Sequence, residues 1–202
     1  MLKLRKTRQN KMTTKQLKIF KSIPKIKTKR LTLRAMSLKD LDDVFEYASD
    51  PLVSEHLLWH PHLSKSFTSK YINAVLLGYK RCKYFNWAIE LEGKMIGTCG
   101  FTAFDLKSNS AEIGYVINRT FWHNGIAKEA ARAVIEYGFS SLMLNIIKIR
   151  YMDENPRSAG VALSLGMSMD TEPPYAIICK DMQRLIRTCS ITRAQYEKQN
   201  RE

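Results

Sequence analysis

Glu112-Ile-Gly-Tyr-Val-Ile-Asn118, followed by Arg119-Thr-Phe-Trp-His-Asn-Gly125-Ile-Ala127-Lys-Glu-Ala-Ala-Arg-Ala-Val-Ile-Glu-Tyr-Gly-Phe139, decides the fold. Ile113 to Ile117 is a short apolar run and reads as a strand. Ala127, Ala130, Ala131, Val134, Ile135 and Phe139 recur at helical spacing and make one apolar stripe. Between the two lies a turn containing Gly125. A strand, a glycine turn and a helix N-terminus gather free backbone N–H groups on one spot, where the helix dipole also favours an anion. Gly125 lets backbone approach a phosphate, and Ala127 adds little bulk. On geometry alone this is an anion or phosphate site.

The rest of the chain alternates strands and helices around that unit. Arg30 to Met36 reads as a strand, Ser37 caps a helix through about Tyr47, and Pro51 to Trp59 and Ser64 to Tyr79 read as two more helices. Asn86 to Glu92 and Met95 to Phe104 form a hairpin around Glu92-Gly93-Lys94. Asn145 to Met152 is a strand, Pro156 to Leu165 a helix ended at Gly166, and Tyr175 to Cys179 with Leu185 to Thr192 a closing hairpin. Strands on both sides of two crossover helices give an α/β fold with one mixed central β-sheet flanked by helices.

Composition fits one domain. The chain has 202 residues, 45% hydrophobic and 26% charged, and no run of 18 apolar residues that would span a membrane. Cys82, Cys99, Cys179 and Cys189 show no metal or CxxC spacing, and no secretory signal precedes them, so they read as reduced thiols of a cytoplasmic protein. Charge is uneven. Residues 1–30 carry twelve of the 33 bases and no acid, leaving 21 bases against all 19 acids elsewhere. Residues 1–27 read as a disordered basic extension and residues 28–202 as the folded domain. An acid-free arm suits contact with RNA or a ribosome. It equally reads as a solvated extension, or as translation upstream of a start at Met12.

The motifs carry a resemblance. Trp122-His-Asn-Gly-Ile-Ala127 resembles the Gln/Arg-x-x-Gly-x-Gly/Ala pyrophosphate loop of the GNAT acetyltransferases, and Glu112 to Phe139 resembles their RimJ/RimL-type branch. Asn155-Pro-Arg-Ser158…Leu165-Gly-Met167, the closing Arg187 to Tyr196 and the opening Thr28 to Arg34 resemble the family's other segments, in order. The resemblance implies a single GNAT-like domain whose fourth and fifth strands splay apart, with acetyl-CoA entering the gap. It also implies transfer to a primary amine, a protein N-terminus (including a ribosomal one) ahead of a polyamine or antibiotic. Transfer is direct in a ternary complex, because no cysteine adjoins the strand-four motif. A non-catalytic acyl-CoA- or RNA-binding protein is the rival class. Monomer and homodimer both fit.

By this resemblance the backbone of Val116, Ile117 and Asn118 holds the thioester carbonyl and pantetheine arm. Trp122, His123, Asn124, Gly125, Ile126, Ala127 and Lys128 surround the pyrophosphate, and Asn155 contacts the arm. His123 stands where the branch usually has Gly, and Lys128 where it has Thr or Ser. Lys128 is either a phosphate contact or an exposed first-turn lysine. Glu112 is either the general base, acting through water, or a structural carboxylate. Ser158 is either the acid that protonates the thiolate or a local cap, with Asn155 capping the same turn. Alternation turns Tyr115 away from Glu112, so it is expected to pack. His56, His60 and His62 with Glu55 recommend no metal, because Pro61 breaks their helix; they read as a solvent-facing cluster or the rim of an acceptor pocket. Phe45, Glu46, Glu55, Trp59 and Tyr79 are further candidates for that pocket.

Overall fold

Alternating apolar residues and left-handed two-residue turns build the sheet in the computed structural model, which describes residues 23–200 except 82 and 84. The strands are β1 (Ile26–Lys27), β2 (Thr32–Arg34), β3 (Phe85–Leu91), β4 (Lys94–Asp105), β5 (Ser110–Ile117), β6 (Ile146–Met152), β7 (Ser168–Met169), β8 (Tyr175–Cys179) and β9 (Met182–Thr192). The described α-helices are α1 (Leu41–Ala48), α2 (Pro51–Ser54), α3 (Lys65–Lys80), α4 (Ile126–Ser140), α5 (Pro156–Ser164) and α6 (Arg193–Gln199). Both expected hairpins form. Glu92 and Gly93 turn β3 into β4 with φ of 50° and 82°, and Lys180 and Asp181 turn β8 into β9 with 52° and 61°. Positive φ at both central residues matches the twist of the flanking strands.

Strand order is β1-β2-β3-β4-β5-β6-β9-β7, with β8 also on β9. Every pair is antiparallel except β5–β6, which α4 connects as the crossover that a parallel pair requires. Its pairing is short. It runs from Ser110 opposite Ile146 to Ile113 opposite Ile149 and stops, although β5 continues to Ile117 and β6 to Met152. Beyond that point each strand keeps only its outer partner, β4 for β5 and β9 for β6. β5 and β6 are therefore the splayed fourth and fifth strands, since β1 adds one strand in front. Gly97 of β4 allows the closest approach beside the splay: a Cβ there would lie 2.1 Å from the carbonyl oxygen of Val116.

The sheet buries side chains on both faces. On one side Met36, Val44, Tyr47, Ile72, Val75, Ala88 and Met95 pack between α1, α3 and the sheet. On the other, Trp87, Phe101, Ile113, Ala130, Val134, Phe139 and Ile147 pack against α4. Ser64 caps α3 by accepting from the Phe67 N–H at 3.2 Å, as its position predicts. Among the described residues no helix is long and apolar enough to cross a membrane.

Two expectations change. The helix expected from Pro51 to Trp59 ends at Ser54. The Ser54 carbonyl accepts from the Lys180 ammonium at 2.6 Å and from Leu57 N–H at 2.9 Å, so the chain turns there under the β8–β9 hairpin. The boundary at residue 27 also moves. Ile26–Lys27 pair with β2, Ile23 and Ile26 pack on the core, and the Pro24 carbonyl accepts the Trp87 indole N–H at 2.7 Å. Residues 1–22 of the basic arm lie outside the described residues. Trp87 is fully buried, so its N–H has no water to turn to. Deletion of residues 1–27 should therefore cost about 1–3 kcal/mol more in urea unfolding than deletion of residues 1–22. Equal stability of the two truncations would show that the Pro24 contact contributes nothing.

Candidate active site

The end of β5, the turn before α4 and the first turn of α5 enclose a cleft of about 380 Å³. Its lining includes Val116, Ile117, Trp122, His123, Gly125, Ile126, Ala127, Lys128, Asn155 and Ser158, ten residues that the sequence placed together. Gly125 precedes α4 with φ of 72°, and a Cβ there would find only Arg30 Nη2, at 3.6 Å. The N–H groups of Ile126, Ala127 and Lys128 lie in the first turn, where a helix has no carbonyl to offer them. His123 takes φ of 61°, so it keeps the left-handed backbone that glycine would have supplied. Trp122 fixes the turn to the strand by donating its indole N–H to the Ile117 carbonyl at 2.9 Å.

Arg157 was not foreseen. Its guanidinium lies 4.0 Å from the Trp122 ring centroid, a cation–π stack, and lines the same cleft. Gly160, one turn on along α5, leaves open space where a Cβ would stand. The turn therefore offers N–H groups, Arg157 and Lys128 to phosphates, and the bare α5 face offers room for an extended arm. These residues fit acetyl-CoA.

The strand end departs from expectation in part. Asn118 N–H donates to the Ile96 carbonyl at 2.8 Å and is not available to a thioester. Its side chain is 3% exposed; it donates to Glu46 at 2.8 Å and accepts from the Thr120 N–H and hydroxyl. Antiparallel alternation sends Val116 N–H toward β4 as well, leaving the Ile117 N–H aimed into the gap. Asn124 is exposed and outside the cleft; its carbonyl accepts from Arg30, which also pairs with Glu129 at 2.6 Å.

A second, wider cleft of about 970 Å³ opens on the α1–α3 face. Tyr47, Trp59, His62, Phe67 and Tyr71 give it an aromatic wall. Of the five acceptor-pocket candidates apart from the histidines, only Trp59 lines it. His62 is buried there, its Nδ1 2.9 Å from the Thr68 hydroxyl, and burial pushes its imidazole below the ordinary histidine value. His60 is exposed, whereas His56 lines the second cleft together with His62. Among the described residues no group of three His, Cys, Asp or Glu side chains could hold a metal.

Glu112 lines this second cleft, but one carboxylate oxygen is held by Arg150 Nε at 2.6 Å and Nη2 at 2.5 Å. Arg150 also donates to the Tyr175 hydroxyl at 2.6 Å. That geometry supports the structural reading of Glu112.

The Tyr115 ring packs on the core as expected, but packing is not all it does. Its hydroxyl meets the Ser158 hydroxyl at 3.0 Å, and the pair lines both clefts. Alternation does put it on the α4 face, but the splay opens that face to the gap. Burial pushes the Tyr115 phenol up to about 12, against a smaller lowering by Ser158, so it keeps its proton at neutral pH. Asn155 caps α5 as expected, accepting the Ser158 N–H at 3.2 Å. A phenol within reach of a serine at the end of a splayed strand was legible only once the splay was located.

Known proteins share this fold. Residues 30–168 match the family described as an acetyltransferase (GNAT) domain. The chain is 36% identical over 145 residues to the uncharacterized N-acetyltransferase p20 of Bacillus licheniformis, covering 71% of this chain and 82% of that one. An acetyltransferase of the GNAT family from Bacillus anthracis superposes with a TM-score of 0.74 at 26% identity, over 84% of this chain and 98% of its own. RimL, a ribosomal α-N-protein acetyltransferase solved in complex with coenzyme A, shares the fold at a TM-score of 0.70 and 19% identity, with 84% and 98% covered. The matched segment takes in β5, the Gly125 turn, α4 and α5, and the chain belongs to the GNAT acetyltransferase family.

Proposed function

We propose that the protein transfers an acetyl group directly from acetyl-CoA to a primary amine in a ternary complex, with a protein N-terminus as the preferred acceptor. One observation carries this: the phosphate-suited cleft and the wide cleft meet at the splay, where Tyr115 and Ser158 stand. A thioester in the first cleft and an amine in the second would face each other across that pair. Cys99, Cys179 and Cys189 are buried and line neither cleft, which supports direct transfer over an acylated thiol.

The chain's own groups divide the work. The Ile117 N–H, directed into the gap, stabilises the carbonyl oxygen as charge develops on it. The phenol of Tyr115, hydrogen-bonded to Ser158, supplies the proton that the departing sulfur needs. The acceptor cleft favours a peptide terminus over a polyamine. Its one carboxylate, Glu112, is already matched by Arg150, which leaves no anionic lining for a polycation.

Acetyl-CoA should stabilise the native chain by about 2.7 kcal/mol at a hundredfold excess over its dissociation constant, read as a thermal shift. Gly125→Val should remove most of that protection, because a β-branched residue opposes the left-handed turn and its bulk meets the phosphate. A thiol-release assay across N-terminal peptides and small amines then identifies the acceptor. Undiminished protection in the variant, or no turnover with any amine, counts against the reading.

A further inference from the structure

Six residues line both clefts: His56, Leu57, Tyr115, Val116, Asn155 and Ser158. The amine must lose a proton where the clefts meet, since a protonated nitrogen has no lone pair to attack a thioester. Leu57 and Val116 carry no side-chain base. Asn155 and Ser158 do not accept protons near neutral pH, and Tyr115 keeps its own. That leaves the imidazole of His56, the side-chain type suited to proton exchange in this range.

The geometry at His56 agrees. Nε2 lies 3.6 Å from the Glu55 carboxylate, whereas Nδ1 is shielded from solvent and has no hydrogen-bond partner. A buried nitrogen without a partner is costly and calls for an explanation. With the ring proton on Nε2, toward Glu55, the lone pair of Nδ1 is left for another donor. The other ionisable groups nearby do not compete. Lys128 and Arg157 in the first cleft and Lys70 and Arg150 in the second are cations, and His123 stands at the phosphate turn and lines only the first cleft. Glu112 is tied to Arg150, and His62 already bonds Thr68 through its own Nδ1. The segment holding His56 is fixed from outside, because Lys180 binds the Ser54 carbonyl and the Cys179 thiol lies 3.9 Å from the Leu57 carbonyl.

We infer that His56 is the general base of the transfer. The inference rests on the proposed acetyl transfer and adds the residue that starts it. The His56 imidazole takes one proton from the ammonium, and the freed lone pair forms the N–C bond while the carbonyl electrons move to oxygen. As those electrons return the C–S bond breaks, and the sulfur takes a proton from the Tyr115–Ser158 pair. The nitrogen's second proton reprotonates that pair through solvent, and His56 releases its own to solvent. The sum is amide, free thiol and one proton.

The test uses the full chain with acetyl-CoA and its best amine. His56→Gln should lower kcat at neutral pH by roughly 10²–10⁴, and the deficit should shrink as pH rises and amine deprotonates unaided. Acetyl-CoA should still raise its melting temperature. In His56→Ala, added imidazole should restore part of the rate, which repair of a merely structural defect would not do. Independently of turnover, the His56 ring nitrogen resonances of the native protein should shift when the amine is added with coenzyme A, where no transfer occurs. Overturning results are near-native turnover in His56→Gln, a defect insensitive to both pH and imidazole, or pH-dependent loss in Glu112→Gln instead. A wild-type chain that binds acetyl-CoA but turns over no amine overturns the transfer reading as well. Failure confined to the His56 variants leaves that reading standing.

Discussion

Tyr115→Phe should lower kcat by roughly 10²–10⁴ while leaving acetyl-CoA binding and the fold intact. The substitution removes one oxygen, the one 3.0 Å from Ser158, and keeps the ring that packs on the core. The sign of the pH dependence follows from the burial that raises the phenol to about 12. A group whose proton leaves only near that value stays protonated from pH 6 to 9, so the variant's deficit should be flat across that range. This separates it from loss of a base, which higher pH would repair. A variant within threefold of the native rate would end the assignment of Tyr115 as acid.

Gly97→Ala should be among the most damaging single-methyl changes in the sheet. Its Cβ would sit 2.1 Å from the Val116 carbonyl oxygen and 3.0 Å from the Ile117 Cα, both backbone atoms that no rotamer change can clear. Overpacking of this kind costs about 3 kcal/mol or more, roughly 6–12 °C in melting temperature for a chain of this size. Gly93→Ala is the control: nothing lies within 4 Å of its Cβ, and its φ of 82° leaves only about 1–2 kcal/mol of left-handed strain. The Gly97 change also pushes the strand end that presents Ile117, so acetyl-CoA protection should fall in whatever protein still folds. Equal melting temperatures for the two variants would show that β4 can move aside without cost.

The fold was readable in the sequence where one local rule governs. Glu92-Gly93 demanded a hairpin, Ser64 and Asn155 announced helix starts, and the apolar stripe of α4 named its buried face. The nucleotide cleft was readable for the same reason, because strand, Gly125 turn and helix are contiguous. The misses have a common cause, which is that tertiary contacts decide them. Helix α2 stops at Ser54 because Lys180, over a hundred residues later, takes its carbonyl. Pro24 belongs to the fold because Trp87 needs an acceptor. Arg150 neutralises Glu112 from the neighbouring strand, and Tyr115 meets Ser158 only because β5 and β6 part after Ile113. Alternation describes a paired strand; it stops being a guide where pairing stops.

That parting has a consequence for cooperativity. Four residue pairs, aided by the helices packed across them, join a meander of β1 to β5 to a second unit of β6 to β9. Each unit keeps its own antiparallel ladders, so each suits a separate folding step, with the seam closing last. A molecule that fills the seam then acts as mortar between two leaves. It holds together not just its own contacts but the unfolding of one leaf with that of the other, and the two should melt as one when it is bound.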